Sequence, residues 1–451
     1  MKLTEEIKFY TALFGAKTIN HGLHLFKSAG TSLPGYMAMK ISNNFLSFIS
    51  KYCKKSIYTI TGTNGKTTTS GLFAHILKSD KNSVLHNDKG ANMPSGIATS
   101  LAVGYKPLSK FDYAVLETDE AYLTKLYDYL KADFLFITNL FRDQLDRYGE
   151  LDTTAKKIQE AIEKNPELTL FVNADDPMLT ELGKNNKRIF FGFEEIAFEL
   201  SQSNSQAPAE TVICSCKNNL SYEERFYAHI GKYYCQNCGK KRQSPDYKGF
   251  AKIYDNHSEI TIKYSQENTE KEYTFKTNLI GLYNAYNVLA AISGALHAGI
   301  STETIQNALE TYKTAFGRTE TLLINGKKVL VQLIKNPTGA SEVLRTVNPN
   351  VSKKLLIAIN DNYADGRDIS WLWDTDFEKL ADYNIPVTVS GIRAYDMATR
   401  LKYAGLNESK IVINQNLKEA FLNSLNEIND SEQLLILPTY TALMEMQKYL
   451  I

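Results

Sequence analysis

The sequence has almost no charge imbalance and no long apolar run. Its 451 residues carry 51 Lys+Arg against 50 Asp+Glu, a formal net charge of +1. A chain that mainly binds nucleic acid usually shows a basic excess, so no nucleic-acid partner is expected. No stretch of 18 or more apolar residues occurs, so no transmembrane segment is expected. The N-terminal MKLTEEIKFYTALFGAKTINHGLHLFK is too interrupted by charge and His to form a signal peptide's apolar core. A cytoplasmic protein is the expectation. Repeats and long low-complexity tracts are missing too. Cysteine is scarce, with five in all: Cys214, Cys216, Cys235 and Cys238 lie close together, and Cys53 stands alone. Without an export signal, such a cluster points to metal before disulfide.

What is present is ordinary globular composition, 43% hydrophobic and 22% charged. At roughly 150 residues per domain, the length suggests about three units. Residues 1–50 read as a helical segment, with a stripe through Ile7, Leu13 and Phe14, then Leu23, Leu25 and Phe26, and a break at Leu33-Pro34-Gly35. Packing of that stripe on the next domain is favoured over contact with a membrane surface. In the next stretch SIYTITG, NSVLH, DYAVLET, DFLFITN, LTLFVN and KRIFFG read as strands between amphipathic stretches. Such alternation implies right-handed βαβ crossovers and a mainly parallel sheet. Residues 201–212 are small and polar, a linker into the cysteine segment. EITIKYS and KEYTFKT then read as strands, with a helix pair at about 284–312. KVLVQLI, KKLLIAIN, IPVTVS, KIVIN and QLLILP begin a second alternation beyond a boundary near Phe316-Gly317-Arg318. The expected architecture is α/β throughout: a domain at 51–316 with an insertion at about 210–245, then a smaller α/β domain at 317–451.

After the first strand comes Thr61-Gly62-Thr63-Asn64-Gly65-Lys66-Thr67-Thr68, then a helix. The glycines let backbone N–H groups turn around phosphate oxygens, and the helix N-terminus adds positive potential. Lys66 suits the β- and γ-phosphates, and the Thr67 hydroxyl suits Mg²⁺. The spacing is the short GxxGKT form, since Ile60 stands where a full Walker loop has its first glycine. Ligands gather at strand ends of open parallel sheets. Glu117 closes DYAVLE, a natural place for a carboxylate on Mg²⁺, and Asn139 closes LFITN ahead of Arg142-Asp143-Gln144-Leu145-Asp146-Arg147-Tyr148-Gly149.

With TGTNGKTT, Glu117, TNLFRDQLDRYG, GLYNAYNVLAA and GRTE in this order, the chain resembles the Mur ligase superfamily. That resemblance implies ATP-driven joining of an amine to a carboxylate through an acyl-phosphate. It implies that Gly62–Thr68 hold the ATP phosphates and that Thr67 and Glu117 hold Mg²⁺. It places Asn284 and Asn287 near the base, and Arg318 reaching ATP from the domain junction. The departures are as telling. Only some 50 residues precede the phosphate loop, where the family usually has a UDP-binding domain. DQLDRYG puts Gln144 and Tyr148 in place of two histidines. Ile158 stands where many members carry a carbamoylated lysine, with Lys156 and Lys157 out of register. Leu333-Ile334-Lys335-Asn336-Pro337 replaces the usual Asp-Tyr-Ala-His segment.

With the cysteine insertion and NDNYADGRDISWLWD, these departures resemble the MurT branch of the superfamily. The resemblance implies amidation of the D-glutamate α-carboxylate of lipid II, at the inner face of the membrane. The ammonia would come from glutamine through a separate GatD-type glutaminase, in a heterodimer. It also implies that an Asp of the ADGxD segment, Asp368 with Asp365 as fallback, serves the partner's Cys–His pair. Cys53, in KYCKK, has no nucleophile context, so the glutaminase is expected on another chain.

Cys214-Ser-Cys216 and Cys235-Gln-Asn-Cys238 form two knuckles that suit structural, tetrahedral Zn²⁺. The first is CxC rather than the common CxxC, and His229 is a weaker replacement ligand. Two other readings compete. One is a free-standing Mur- or folylpolyglutamate-type amino-acid ligase. The other is a zinc-ribbon nucleic-acid-binding ATPase using Lys240, Lys241 and Arg242.

Overall fold

The computed structural model describes residues 3–25, 32–88, 91–106, 109–141, 151–199, 212–254, 256–314 and 318–450. The DQLDRYG motif, with Arg142, Gln144, Tyr148 and Gly149, lies outside the described residues, as do Phe26 and the junction residues Phe316 and Gly317.

Helices α1 (Leu3–Leu25), α2 (Leu33–Ile41) and α3 (Phe48–Tyr52) come first. The parallel alternation follows: β1 (Cys53–Thr61), α4 (Lys66–Ser79), β2 (Val84–His86), α5 (Pro94–Gly104), β3 (Phe111–Glu117), α6 (Leu123–Leu126), β4 (Phe134–Ile137), α7 (Leu151–Glu163), β5 (Thr169–Asn173) and β6 (Arg188–Glu199). A hairpin of β7 (Ser221–Tyr227) and β8 (Ile230–Tyr234) leads to β9 (Tyr247–Tyr254), β10 (Ser258–Gln266), β11 (Thr269–Thr277), α8 (Leu282–His297) and α9 (Thr302–Thr311). The second alternation comprises β12 (Arg318–Ile324), β13 (Lys327–Gln332), α10 (Pro337–Arg345), β14 (Ser352–Ala358), α11 (Glu378–Tyr383), β15 (Val387–Ser390), α12 (Ala394–Tyr403), β16 (Ile411–Ile413), α13 (Leu417–Asn426), β17 (Gln433–Pro438) and α14 (Tyr440–Leu450).

Nine strands form one sheet in the order β11-β10-β9-β6-β5-β4-β1-β3-β2, and six form another, β12-β13-β17-β14-β15-β16. Strands β2 to β6 and β1 pair parallel, and β10 and β11 close the edge antiparallel. The large sheet is covered on both faces, so its strands are apolar on both. Tyr58 and Ile60 of β1 meet Leu72 and Phe73 of α4 and Leu289 of α8. Ile57 joins the opposite core with Ile97 of α5 and Ile158 of α7. Phe136 of β4 stacks on Phe171 of β5, ring centroids 4.2 Å apart.

Two expectations change. The inward stripe of α1 is Phe9, Ala12, Leu13 and Ala16, at helical spacing, whereas Ile7 and Phe14 face solvent. Strand β9 escaped notice because YKGFAKIY is half polar; its Tyr247, Gly249, Ala251 and Ile253 alternate inward with period two. No helix among the described residues is long and apolar enough to cross a membrane.

Candidate active site

Strand β1 lies between β3 and β4, where the chain turns from building one side of the sheet to building the other. Loops leaving adjacent strands diverge at such a point and open a crevice at their carboxyl ends. The register sets Ile60 beside Glu117 on one side and Phe136 on the other. The phosphate loop, Glu117 and Asn139 therefore emerge at one level.

The loop is shaped by contacts that exclude side chains. Gly62 and Gly65 have φ of 128° and 83°. A Cβ on Gly62 would stand 2.2 Å from Thr138 Oγ1, and one on Gly65 would stand 1.9 Å from Asn287 Oδ1. Asn139 clamps the loop from both ends. Its Oδ1 accepts from Asn64 N at 2.9 Å, its Nδ2 donates to Asn64 O at 3.1 Å, and its carbonyl accepts from Thr63 N at 2.9 Å. Helix α4 then begins at Lys66, with Thr67 and Thr68 in its first turn, where unpaired N–H groups favour an anion.

Buried charge dominates what lies beneath. Lys66 Nζ sits 3.0 Å from Glu120 Oε2. Burial alone would push the ammonium down, but Glu120, Asp119 and Glu117 outweigh it and hold Lys66 above its ordinary value. Glu117 is fixed through its backbone, exchanging 2.8 Å hydrogen bonds with the Asn87 amide. Its Oε1 accepts from Asn92 Nδ2 at 3.3 Å, whereas its Oε2 is buried without a hydrogen-bond partner. An unpaired buried carboxylate costs on the order of several kcal/mol. A hard, oxygen-seeking cation between Glu117 and the Thr67 hydroxyl would relieve that cost, so the residues fit Mg²⁺.

Above the loop is a cleft between the large and the small sheet's layers. Asn284 and Asn287, both buried on α8, line one wall, and Gln332, Lys335, Thr338 and Glu342 line the other. Lys335 Nζ donates to Thr63 O at 3.3 Å, and Asn336 Nδ2 donates to Asn64 Oδ1 at 2.9 Å. Asn336 also caps α10, accepting from Gly339 N at 2.8 Å. In the sequence, Lys335 and Asn336 stand out only as a departure from the family pattern. The Asn-Pro pair before a helix was the signal that a cap stood there. Asp119 and Glu120 carry no motif of their own, although both lie within three residues of the end of β3.

The remaining sequence candidates differ in setting, and Arg318 is the register partner of Gln332 on the cleft wall. Arg318 begins β12, its side chain outside the described part of the chain. Ile158 is fully buried in apolar surroundings, whereas Lys156 is exposed. Burial pushes the Cys53 thiol up to about 11, which makes it a poor nucleophile.

The smaller sheet repeats the arrangement. Strand β14 lies between β17 and β15, and the segment 359–369 leaves its carboxyl end. Asp365 is buried there and accepts from Thr441 N at 2.7 Å and Asn362 N at 3.1 Å. Burial raises its carboxyl above the ordinary range, against those hydrogen bonds. Asp368 is half-buried and accepts from Ser370 N at 2.8 Å and Ser370 Oγ at 3.0 Å. Nearby lie exposed rings, with Tyr363 86% exposed and Trp373 packed edge-on against Tyr403.

In the insertion, the four sulfurs of Cys214, Cys216, Cys235 and Cys238 lie within 4.8 Å of one another. Two of the separations are 3.6 Å, Cys214 to Cys238, and 3.5 Å, Cys216 to Cys235. These are too long for S–S bonds. They fit a tetrahedron with Zn–S of about 2.3 Å, whose sulfurs stand roughly 3.8 Å apart. His229 belongs elsewhere, wholly buried with Nε2 3.5 Å from Asp176. Two of the three basic residues here are ion-paired internally, Lys240 with Glu181 and Arg242 with Asp175 and Glu194. Arg242 Nε lies 2.5 Å from Asp175 Oδ1, and the other oxygen of Asp175 accepts from Tyr286 OH at 2.7 Å. Tyr286 stands on α8 between Asn284 and Asn287.

Residues 60–238 match the Mur ligase middle domain, and residues 333–443 match the MurT ligase C-terminal domain. The lipid II isoglutaminyl synthase (glutamine-hydrolyzing) subunit MurT of Streptococcus pneumoniae is 36% identical, over 93% of this chain and 92% of that protein. The subunit of the same name from Staphylococcus aureus (strain COL) is 33% identical, over 98% of this chain and 97% of that protein. Among solved structures, a pseudomurein peptide ligase type C from Methanothermus fervidus shares the fold. Its TM-score is 0.68 at 21% identity, over 89% of this chain and 79% of that one.

Proposed function

The chain belongs to the MurT family of Mur-type ligase subunits, and from that premise we propose that it is the ATP-dependent half of a two-chain lipid II isoglutaminyl synthase. It amidates the α-carboxylate of D-glutamate in lipid II at the inner face of the cytoplasmic membrane. Glutamine is the amido donor, through a GatD-type glutaminase.

The observation that carries the reading is the buried Glu117 oxygen without a hydrogen-bond partner, whose charge, with that of Glu120, bears on Lys66 of the phosphate loop. Gly62, Thr63, Asn64, Gly65 and Thr68 cradle the ATP phosphates, held in shape by Asn139. Asn284 and Asn287 line the base end of the cleft, and Arg318 approaches from the domain junction. Thr67 and Glu117 hold Mg²⁺. When bound, that ion neutralises charge on the transferring phosphoryl group. Lys66 exchanges its ion pair with Glu120 for the γ-phosphate and stabilises the same charge, so positioning and electrostatics carry the step. A carboxylate oxygen of the substrate bonds to phosphorus as the bond to ADP breaks. Ammonia then bonds to the acyl carbon, phosphate leaves, and nitrogen loses a proton to give the amide.

The second strand-end cluster serves the partner. Asp365 is committed to Thr441 and Asn362, whereas Asp368 is half-exposed and bonded only locally. Asp368 is therefore the residue that orients the glutaminase histidine, as a triad carboxylate does. The surrounding Tyr363, Trp373 and Tyr403 supply the large, rigid contact area that interfaces favour. Zinc in the cysteine ribbon is structural, since four protein ligands leave no open position.

The test is amidation of lipid II by the chain alone and in complex with its glutaminase. The complex is expected to consume ATP and glutamine and to form the amide, and the chain alone to use ammonium but not glutamine. Full glutamine-driven activity of the lone chain would overturn the reading.

A further inference from the structure

Helix α1 has two faces of opposite fate. Phe9, Ala12, Leu13 and Ala16 are buried, while Ile7, Tyr10 and Phe14 form an outer stripe, with Phe14 75% exposed. Helix α2 packs along α1 and shows an outer stripe of its own, Leu33, Met37 and Ile41, flanked by Tyr36. The stripes meet where α1 thins: a Cβ on Gly15 would stand 3.6 Å from Ile41 Cδ1. Single exposed apolar residues are ordinary, but a patch shared by two helices marks a contact surface.

The same segment carries a basic excess. Residues 1–52 contain six lysines, no arginine, no aspartate and two glutamates, a net +4 in a protein whose whole charge is +1. One of the two glutamates, Glu6, is paired with Lys51. Lys8 is exposed beside the outer stripe of α1, and Lys40 Nζ lies 5.6 Å from the Tyr36 ring centroid. Apolar side chains fringed by lysine suit a surface with an anionic face and an apolar interior.

The patch is also well placed. Gly35, at the start of α2, packs into α5, its N–H donating to Thr99 Oγ1 at 2.9 Å. Helix α5 begins two residues after Asn92, the residue that donates to Glu117. The outer face of α2 therefore begins at the end of the sheet that holds the transfer site.

We propose that the exposed face of α1 and α2 docks the protein on anionic phospholipid, so that a lipid-anchored substrate reaches the phosphate-loop site without leaving the bilayer. This rests on the reading of a lipid-linked substrate above. The test is sedimentation of the chain–glutaminase complex with vesicles of phosphatidylcholine, with and without phosphatidylglycerol. The complex is expected to pellet with the anionic vesicles and to be released by salt. Phe14→Ser with Ile41→Ser, both at exposed positions, should weaken that binding at least about tenfold. Lys8→Gln with Lys40→Gln should remove part of its salt-sensitive component and keeps the test open if the first variant folds poorly. Amidation of vesicle-borne lipid II should fall in parallel, while amidation of a lipid-free muropeptide stays unchanged. No binding by the unaltered complex, or equal binding by both variants, would overturn the proposal. So would a doubled mass in solution that the serine variant abolishes, which would assign the face to a second copy. Loss of amidation on the lipid-free substrate by the unaltered complex would instead strike the ligase reading, leaving vesicle binding to decide the docking face.

Discussion

The two sheets place their polar clusters in the same topological position and then cover them differently. In the larger sheet the loops after β1, β3 and β4 converge, and Lys66, Glu117, Glu120 and Asn139 are buried. In the smaller sheet the segments after β14, β15 and β17 converge, but Asp368, Tyr363 and Arg367 face outward. A switch point supplies a crevice, and the cover over it decides the chemistry. A covered cluster sits in low dielectric, where charge acts strongly on a bound phosphate. An open one can lend a residue to another chain.

The largest expected effect breaks the inward cluster. Lys66→Ala should reduce amidation by at least about 10³-fold whether glutamine or ammonium supplies nitrogen, because both routes need the phosphoryl transfer. Product formation on lipid II measures it, and surviving ammonium-driven turnover would mean that transfer occurs elsewhere. Asp368→Asn tests the outward cluster. It should lower glutamine-driven amidation about 100-fold and leave the ammonium-driven rate within about twofold. Equal loss with both donors would erase the distinction between the clusters.

A smaller effect separates the two aspartates. Asp365→Asn weakens hydrogen bonds from Thr441 and Asn362 and should cost about 2 kcal/mol of stability, read as a lower denaturant midpoint. Asp368→Asn should leave the midpoint nearly unchanged. The smallest expected effect concerns acid. All seven histidines precede residue 298. Burial holds His86 down, at about 4 from an ordinary 6.5. The unfolded chain binds that proton first, so the stabilising contribution is complete above pH 6.5 and is lost as pH falls toward 4. His86→Gln should flatten this part of the stability profile, and an unchanged slope would assign acid sensitivity to other groups.

Most of the residues gathered at the phosphate loop are legible in the sequence because they come from contiguous motifs. Gly62 to Thr68 occupy one turn, and Asn284 and Asn287 share one face of one helix. Glu117 and Asn139 stand at strand ends that alternation alone locates. The residues that were missed act across distance. Lys335 reaches Thr63, and Asn336 reaches Asn64, each 272 positions away, and no local pattern encodes a contact between domains. Glu120 was hidden for another reason: its role comes from full burial against Lys66, and an acid after a strand usually reads as a solvated turn. In α1 the apolar residues were found but their faces were misassigned, because small residues such as Ala12 and Ala16 carry the packing and larger ones face out.

The bridge from Arg242 through Asp175 to Tyr286 has a historical consequence. Arg242 follows the cysteine ribbon, Asp175 belongs to the parent sheet, and Tyr286 stands on the helix of the two asparagines. Excising the insertion together with Arg242 and rejoining β6 to β9 would strand the Asp175 carboxylate in the interior without its cation, at a cost of roughly 3–5 kcal/mol. A lineage that acquired this insertion could not simply shed it. The insertion and the sheet it sits on hold one another's charges in place, so the addition acts as a ratchet.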